Sequence, residues 1–270
     1  MQLGINTFTF PWAIGSFRSR GYPPPKKLLS TKDLLMKAKE LGVNLVQTAQ
    51  NLQLHEMTDR DLNELLKTTY DTGVRIEVGT LGINTNNLLK YLEFAKMFHS
   101  RTVRTVIPGN DSEEQIIDQI KRILPSFVNA RVSLVLENYG HREQPSKKLA
   151  NIMKKLDSPY VGINLDTANS YRSLEPLEQV VKNLAPYIII VHFKDFAIEQ
   201  SVGEIRLVGR PVGEGFLNVD WLLDILEKEK KDLVLIPEIN LPFCITIENT
   251  LLIEELWAKK SIQFLRDKIK

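Results

Sequence analysis

Cysteine is nearly absent: Cys244 is the only one in the chain. An intrachain disulfide is therefore excluded, and the composition suits a reducing compartment. Long apolar runs are absent as well; none approaches the roughly 20 residues that a bilayer span needs. The first residues lack the basic and apolar regions of a secretion signal, so a cytoplasmic protein without a membrane partner is expected. No long block carries one sign of charge. Lys and Arg number 35 against 33 Asp and Glu, and even the dense stretch Glu227-Lys228-Glu229-Lys230-Lys231-Asp232 mixes both. A basic stripe for nucleic acid is thereby excluded. A glycine-rich phosphate turn is missing too, because Thr7-Phe8-Thr9-Phe10-Pro11 stands where it would follow the first strand. That argues against a doubly wound open sheet.

What is present is a regular alternation. The 270 residues are 43% hydrophobic and 25% charged, enough for a large core without staples. Apolar runs at 3–10, 43–49, 74–80 and 102–107 read as strands, and four more end at Glu137, Asp166, His192 and Glu238. Amphipathic patterns between them predict helices over 31–42, 58–72, 88–99, 111–128, 145–156, 174–184, 219–228 and 247–269. Thr31 is the expected cap of the first, and Gly42 its stop. Eight strands alternating with eight helices imply a parallel sheet with helical crossovers. At this length the expected fold is α/β, a single (β/α)8 TIM barrel, with one domain over 1–270.

The last four strands share a design. Ser133-Leu134-Val135-Leu136 leads to Glu137, Val161-Gly162-Ile163-Asn164-Leu165 to Asp166, Ile188-Ile189-Ile190-Val191 to His192, and Leu233-Val234-Leu235-Ile236-Pro237 to Glu238. In a barrel, side chains at the C-terminal ends of strands meet at one rim. One acid at a strand end is ordinarily a helix cap or a lysine partner. Four such residues on consecutive strands suggest more, because crowded acids without compensation repel. Three carboxylates and an imidazole suit one divalent metal ion, Mn²⁺, Mg²⁺, Co²⁺ or Zn²⁺, with positions left for substrate oxygens.

Two segments are candidates for covering this rim. The spacing from His192 to Glu238 exceeds one βα unit, and the extra residues hold Val202-Gly203 between alternating runs, a predicted hairpin over the mouth. The long proline-containing loop after the first strand carries Trp12, Phe17, Arg18 and Arg20. These form either a lid over a polar ligand or ordinary surface packing, and both readings stay open. Lys194 contacts an oxyanion or pairs with Asp195. His55 and His99 are expected to pack or face solvent, and His141 and Glu143 to have no role in the site.

The motifs Leu136-Glu137-Asn138, Asp166-Thr167-Ala168-Asn169-Ser170, His192-Phe193-Lys194-Asp195, Gly213-Glu214-Gly215 and Pro237-Glu238 resemble those of the xylose-isomerase-like TIM barrels. That group contains sugar and sugar-phosphate isomerases and epimerases, and also endonuclease IV. The resemblance implies that Glu137, Asp166, His192 and Glu238 bind one divalent ion and that the two glutamates act as an acid/base pair. Proton transfer beside a carbonyl, through an ene-diolate, then isomerises or epimerises a sugar or sugar phosphate. Many family epimerases carry a histidine where this chain has Asn169, which can hydrogen-bond a hydroxyl but cannot titrate. Arg206 or Arg210 stands in for an arginine that some members place after the histidine strand. Candidate substrate contacts are thus Asn169, Lys194, Arg210 and Trp12. The alternatives are a dehydratase of the inosose or dehydroshikimate type on the same metal, or a sugar-binding barrel without turnover. Four histidines are too few for the trinuclear zinc site of endonuclease IV, which argues against DNA repair. A homo-oligomer stays open as a further association.

Overall fold

The computed structural model describes residues 1–109, 111–139, 145–229 and 232–269. His141 and Glu143 lie outside these. The sheet starts with two short pieces of one strand, β1 (Gln2–Leu3) and β2 (Ile5–Asn6), parted at Gly4. It continues through β3 (Leu45–Gln47), β4 (Arg75–Gly79), β5 (Thr102–Val106), β6 (Ser133–Glu137), β7 (Val161–Asp166) and β8 (Ile188–Phe193). An antiparallel hairpin of β9 (Asp195–Ser201) and β10 (Glu204–Arg210) follows, then the last barrel strand, β11 (Val234–Pro237). The barrel strands pair in parallel in chain order, β2 with β3 at one end and β1 with β11 at the other. Because β1 and β2 are consecutive, the sheet closes on itself, and closure leaves no unpaired edge.

The helices are α1 (Pro11–Ile14), α2 (Thr31–Glu40), α3 (Asp59–Thr72), α4 (Thr85–Phe98), α5 (Glu113–Ala130), α6 (Ser146–Leu156), α7 (Asn169–Arg172), α8 (Leu177–Leu184), α9 (Val219–Glu229) and α10 (Ile247–Lys268). Three expectations change. The first strand stops at Asn6, because Asn6 Oδ1 accepts from Phe8 N at 2.9 Å and Asn6 O from Thr9 N at 3.0 Å, which turns the chain. Ser30, not Thr31, caps α2: its hydroxyl accepts from Asp33 N at 3.1 Å and its own N–H donates to Asp33. The helix expected over 174–184 begins only at Leu177, since Leu174 takes φ 59° and Pro176 interrupts the backbone donors.

The main core lies between sheet and helices. A second, small apolar cluster of Leu45, Val135, Ile190 and Ile236 is separate from it. Side chains alternate along a strand, so two residues further along the same face are Gln47, Glu137, His192 and Glu238. The barrel interior is thus built in layers, with an apolar plug beneath and a polar layer above it.

The hairpin is pinned over the mouth by one buried acid. Asp195 Oδ1 accepts from Phe196 N at 2.8 Å and Leu217 N at 3.0 Å, and Oδ2 from Gly213 N at 2.9 Å and Gly215 N at 3.0 Å. Gly209 lies against the loop after β11, where a Cβ would stand 1.9 Å from Asn240 O. An Asp195→Asn substitution keeps one acceptor oxygen and turns an amide N–H₂ toward the other two donors. It is expected to cost about 1–3 kcal/mol for the donors left unpaired, read as a lower urea midpoint at unchanged m-value.

Candidate metal centre

The polar layer gathers residues from strands around the barrel. Glu137 closes β6, Asp166 closes β7, His192 lies on β8 one residue from its end, and Glu238 follows β11. All four are buried. Glu137, Asp166 and His192 each offer a ligand atom within 4.8 Å of the others. Glu238 joins from the far side, with Oε1 2.9 Å from His192 Nδ1.

Two cations offset these acids. Arg104 on β5 is fully buried; its Nε donates to Glu137 Oε2 at 2.7 Å, its Nη2 donates to the same oxygen, and its Nη1 donates to Gln50 Oε1 at 2.7 Å. Lys194 Nζ lies 2.6 Å from Asp166 Oδ2 and 2.6 Å from Glu238 Oε2. Lys194 therefore bridges two site carboxylates and does not pair with Asp195. Asn164 Nδ2 donates to Glu137 Oε2 at 2.6 Å, Asn169 Nδ2 to Glu137 Oε1 at 3.3 Å, and Asn6 Nδ2 to Glu238 Oε1.

Burial and charge compete at each group. Burial pushes the Glu137 carboxyl up, but Arg104 and His192 outweigh it and hold its pKa at about 2. Burial also opposes ionised Glu238, yet Lys194 and His192 hold it well below the usual carboxylate range. Asp166 moves the other way: burial raises it, and Glu137 and Glu238 add to the rise against Lys194. Burial disfavours the His192 imidazolium, but Glu238 and Glu137 lift its pKa to about 9.

The donor set fits a divalent cation. Two carboxylates and one imidazole lie within 4.8 Å of one another, with the Glu238 carboxylate against the same imidazole, and hard oxygen ligands with a single nitrogen suit Mg²⁺, Mn²⁺, Co²⁺ or Zn²⁺. The imidazole orientation fits too. His192 Nε2 lies 2.7 Å from Gln47 Oε1. A carbonyl oxygen only accepts, so Nε2 keeps its hydrogen and the neutral ring turns its Nδ1 lone pair toward the carboxylates.

Above this layer opens a cavity of about 530 Å³. Asn169 and Lys194 line it, with Phe8, Phe17, Tyr171 and Phe196 as aromatic walls. Trp12 does not: it is buried behind Phe17, and its indole N–H donates to Leu241 O at 2.9 Å. Arg210 is also turned away, donating to Glu199 and, at 2.9 Å, to Gly209 O. Arg206 pairs with Glu204 on the exposed hairpin. His55 packs on Tyr91, 2.9 Å from its hydroxyl, and His99 ends α4 on the surface. Sequence reasoning missed Asn6, Gln47, Arg104 and Asn164. Their available signal was a polar side chain inside a run otherwise apolar enough for a buried strand, as in Thr102-Val103-Arg104-Thr105-Val106.

Comparison with known proteins agrees with this architecture. The family model described as "Xylose isomerase-like TIM barrel" matches residues 35–268. The 3-oxo-isoapionate decarboxylase of Pectobacterium atrosepticum is 26% identical over 270 residues, spanning 98% of this chain and 95% of the relative. The D-psicose 3-epimerase of Clostridium cellulolyticum H10 superposes with TM-score 0.74 at 13% identity, covering 100% of both chains. A probable 3-DHS dehydratase of Bacillus anthracis superposes with TM-score 0.65 at 18% identity, over 98% of this chain and 99% of its own.

Two outcomes are expected of the metal centre. Gln47→Leu should weaken Mn²⁺ binding by about 10–100-fold, measured against a competing chelator, because the imidazole loses the partner that orients it. Metal uptake should also release a proton. His192 holds one below a pH of about 9 and must give it up to ligate. Affinity should therefore rise with pH, by up to about tenfold per unit, and level off above that value; titrations in buffers of different ionisation heat read the proton directly.

Proposed function

The chain belongs to the xylose isomerase-like TIM barrel family, and on that premise we propose that it is a metal-dependent enzyme acting on an oxo-carbohydrate through an ene-diolate. The observation that carries this reading is the convergence of Glu137, Asp166, His192 and Glu238 on one buried layer beneath the cavity. These four residues would hold the ion. When bound, a divalent cation polarises a substrate carbonyl and acidifies the neighbouring C–H.

The chain's own groups do the rest. Glu137 and Glu238 approach from separate strands, so one carboxylate takes the proton beside the carbonyl. In isomerisation the same group returns that proton at the adjacent carbon; in epimerisation the other glutamate must first be protonated, and it then delivers its proton to the opposite face. Lys194 lies between Asp166 and Glu238 at the cavity floor and offsets negative charge as the ene-diolate forms. Asn169 directs an N–H₂ toward Glu137 and lines the cavity, a position suited to holding a substrate hydroxyl. The aromatic walls exclude water from the intermediate.

Decarboxylation is a second reading, favoured by two observations. The relative that matches almost the whole chain is a decarboxylase by name. In addition, the Arg104 clamp leaves Glu137 a weak base. Loss of CO₂ from a 3-oxo acid needs no base at the start. The C–C bond pair passes into the carbonyl, CO₂ leaves, and the resulting ene-diolate takes one solvent-derived proton at carbon; burial opposes the Lys194 ammonium, but Asp166, Glu238 and Glu137 raise its pKa above the usual lysine value, so it offsets the charge and keeps its own proton.

One panel separates these chemistries. The Mn²⁺-loaded protein, given ketoses, inososes and 3-oxo sugar acids in D₂O, is followed by NMR and for CO₂. Deuterium appearing beside a carbonyl without CO₂ supports isomerisation or epimerisation, with Glu137→Gln and Glu238→Gln each slowing it by about 10²–10⁴-fold. Release of CO₂ supports decarboxylation, and release of water a dehydratase. A metal-free protein that turns over as fast as the loaded one would remove the proposal.

A further inference from the structure

The cavity above the metal centre is unusual in its charge. Its lining includes three cations, Arg20, Arg172 and Lys194, and no acid among the described residues. Lys194 is already engaged by Asp166 and Glu238. Arg20 and Arg172 have no carboxylate within ion-pair distance among the described residues. Each instead lies over an aromatic ring: the Arg20 guanidinium is 5.4 Å from the Phe17 centroid, and that of Arg172 is 5.9 Å from Tyr139. Stacking on a ring face steadies a guanidinium while leaving its in-plane N–H edge open to a ligand.

The two arginines reach the cavity from different parts of the fold. Arg20 ends the turn Arg18–Arg20 in the loop after β2, and Arg172 ends α7, directly after the Asp166 strand. Both are exposed at the mouth of the cavity, and cations gathered at a mouth whose described lining holds no acid raise the local concentration of anions. A neutral sugar would offer neither fork an anionic partner. An oxyanion matches them, because planar guanidinium recognises carboxylate and phosphate through paired N–H bonds.

We propose that Arg20 and Arg172 form a recognition site for an acidic group on the carbohydrate, a carboxylate or a phosphate, in the cavity above the metal centre. This rests on the reading of that cavity as the substrate site. It narrows the substrates considered above to the anionic ones and adds two specificity-determining residues outside the metal layer. Trp12 and Arg210, the contacts expected from the sequence, are replaced by these two.

The test is calorimetric binding to the full chain loaded with Mn²⁺, using D-ribulose 5-phosphate, D-gluconate and neutral D-ribulose as probes. An anionic probe should bind at least about tenfold more tightly than the neutral one, and Arg20→Gln and Arg172→Gln should each lower its affinity by about ten- to a hundredfold. The neutral probe and Mn²⁺ uptake should be unchanged in both variants, which also shows that they fold. Raising salt should weaken the anionic probe alone. Phosphate and carboxylate arms identify which group the site takes. Equal affinity for charged and neutral probes, or anion binding unaltered by either variant, overturns the proposal. The two readings fail separately. Deuterium exchange on neutral ketoses, with no preference for anions, would remove the anion site and leave the ene-diolate chemistry standing. Arginine-dependent anion binding without turnover of any substrate class would do the reverse.

Discussion

Three carboxylates converge inside this barrel, out of reach of water, and the geometry of the centre depends on how their charge is offset. At an effective dielectric of about 20, two like charges a few ångströms apart repel by several kcal/mol, and deeper burial makes this worse. Arg104 reaches Glu137 from within the barrel wall, Lys194 bridges Asp166 and Glu238, and His192 lies between Glu137 and Glu238. Signs therefore alternate across the layer. The two permanent cations differ in freedom. The Arg104 guanidinium is sealed and held at Glu137 and Gln50, whereas Lys194 is partly exposed to the cavity on a flexible stem. The first is a fixed support; the second can change partners when charge arrives from above.

The same chain uses buried acids for a different purpose. Asp195 accepts four backbone N–H bonds and ties the hairpin to the segment after it. Glu254 on α10 accepts from Trp12 N at 2.7 Å and Ala13 N at 3.0 Å, and burial raises its pKa to about 8. Glu77 on β4 accepts from Ser100 Oγ at 2.7 Å and from Thr102 N at 2.8 Å. Among the described residues, none of these pairs with a cation or with an acid of the candidate metal centre. They hold loops and strand ends to the barrel, and through α1 and the hairpin they shape the cavity. Burial of a carboxylate does not mark the chemical centre in this protein; convergence with other carboxylates and with side-chain cations does.

The cavity and the candidate metal layer differ in charge and in depth. The layer below is polar, enclosed and nearly balanced. The cavity above has aromatic walls with cations at its rim. A substrate lodged there would present oxygen atoms downward to the layer and ring faces to Phe8, Phe17 and Phe196. Asn169 and Lys194 belong to both zones: they contact the carboxylates below and line the cavity above.

Much of this was legible in the sequence. The alternation of apolar runs and helical patterns determined a parallel barrel, because strand and helix periods are local properties of the chain. The residues at the ends of the last four strands were legible as candidate donors, because position along a strand decides which rim a side chain reaches; of these, Glu137, Asp166 and His192 come within 4.8 Å of one another. The hairpin at Val202-Gly203 was legible for the same reason. Gln47, Arg104 and Asn164 were not recognised: a polar residue within an apolar strand is a cost unless a partner satisfies it, and that partner lies on another strand. The placement of Lys194, Trp12 and Arg210 was likewise beyond local reading. Which carboxylate a flexible side chain selects, and whether an indole faces a cavity or a backbone carbonyl, depends on packing between segments far apart in sequence. The sequence by itself thus determined the barrel and which four side chains gather at its rim. Only the tertiary structure decided what neutralises them, what lies against the imidazole, and which cations line the cavity, because those are distances across the barrel and not along the chain.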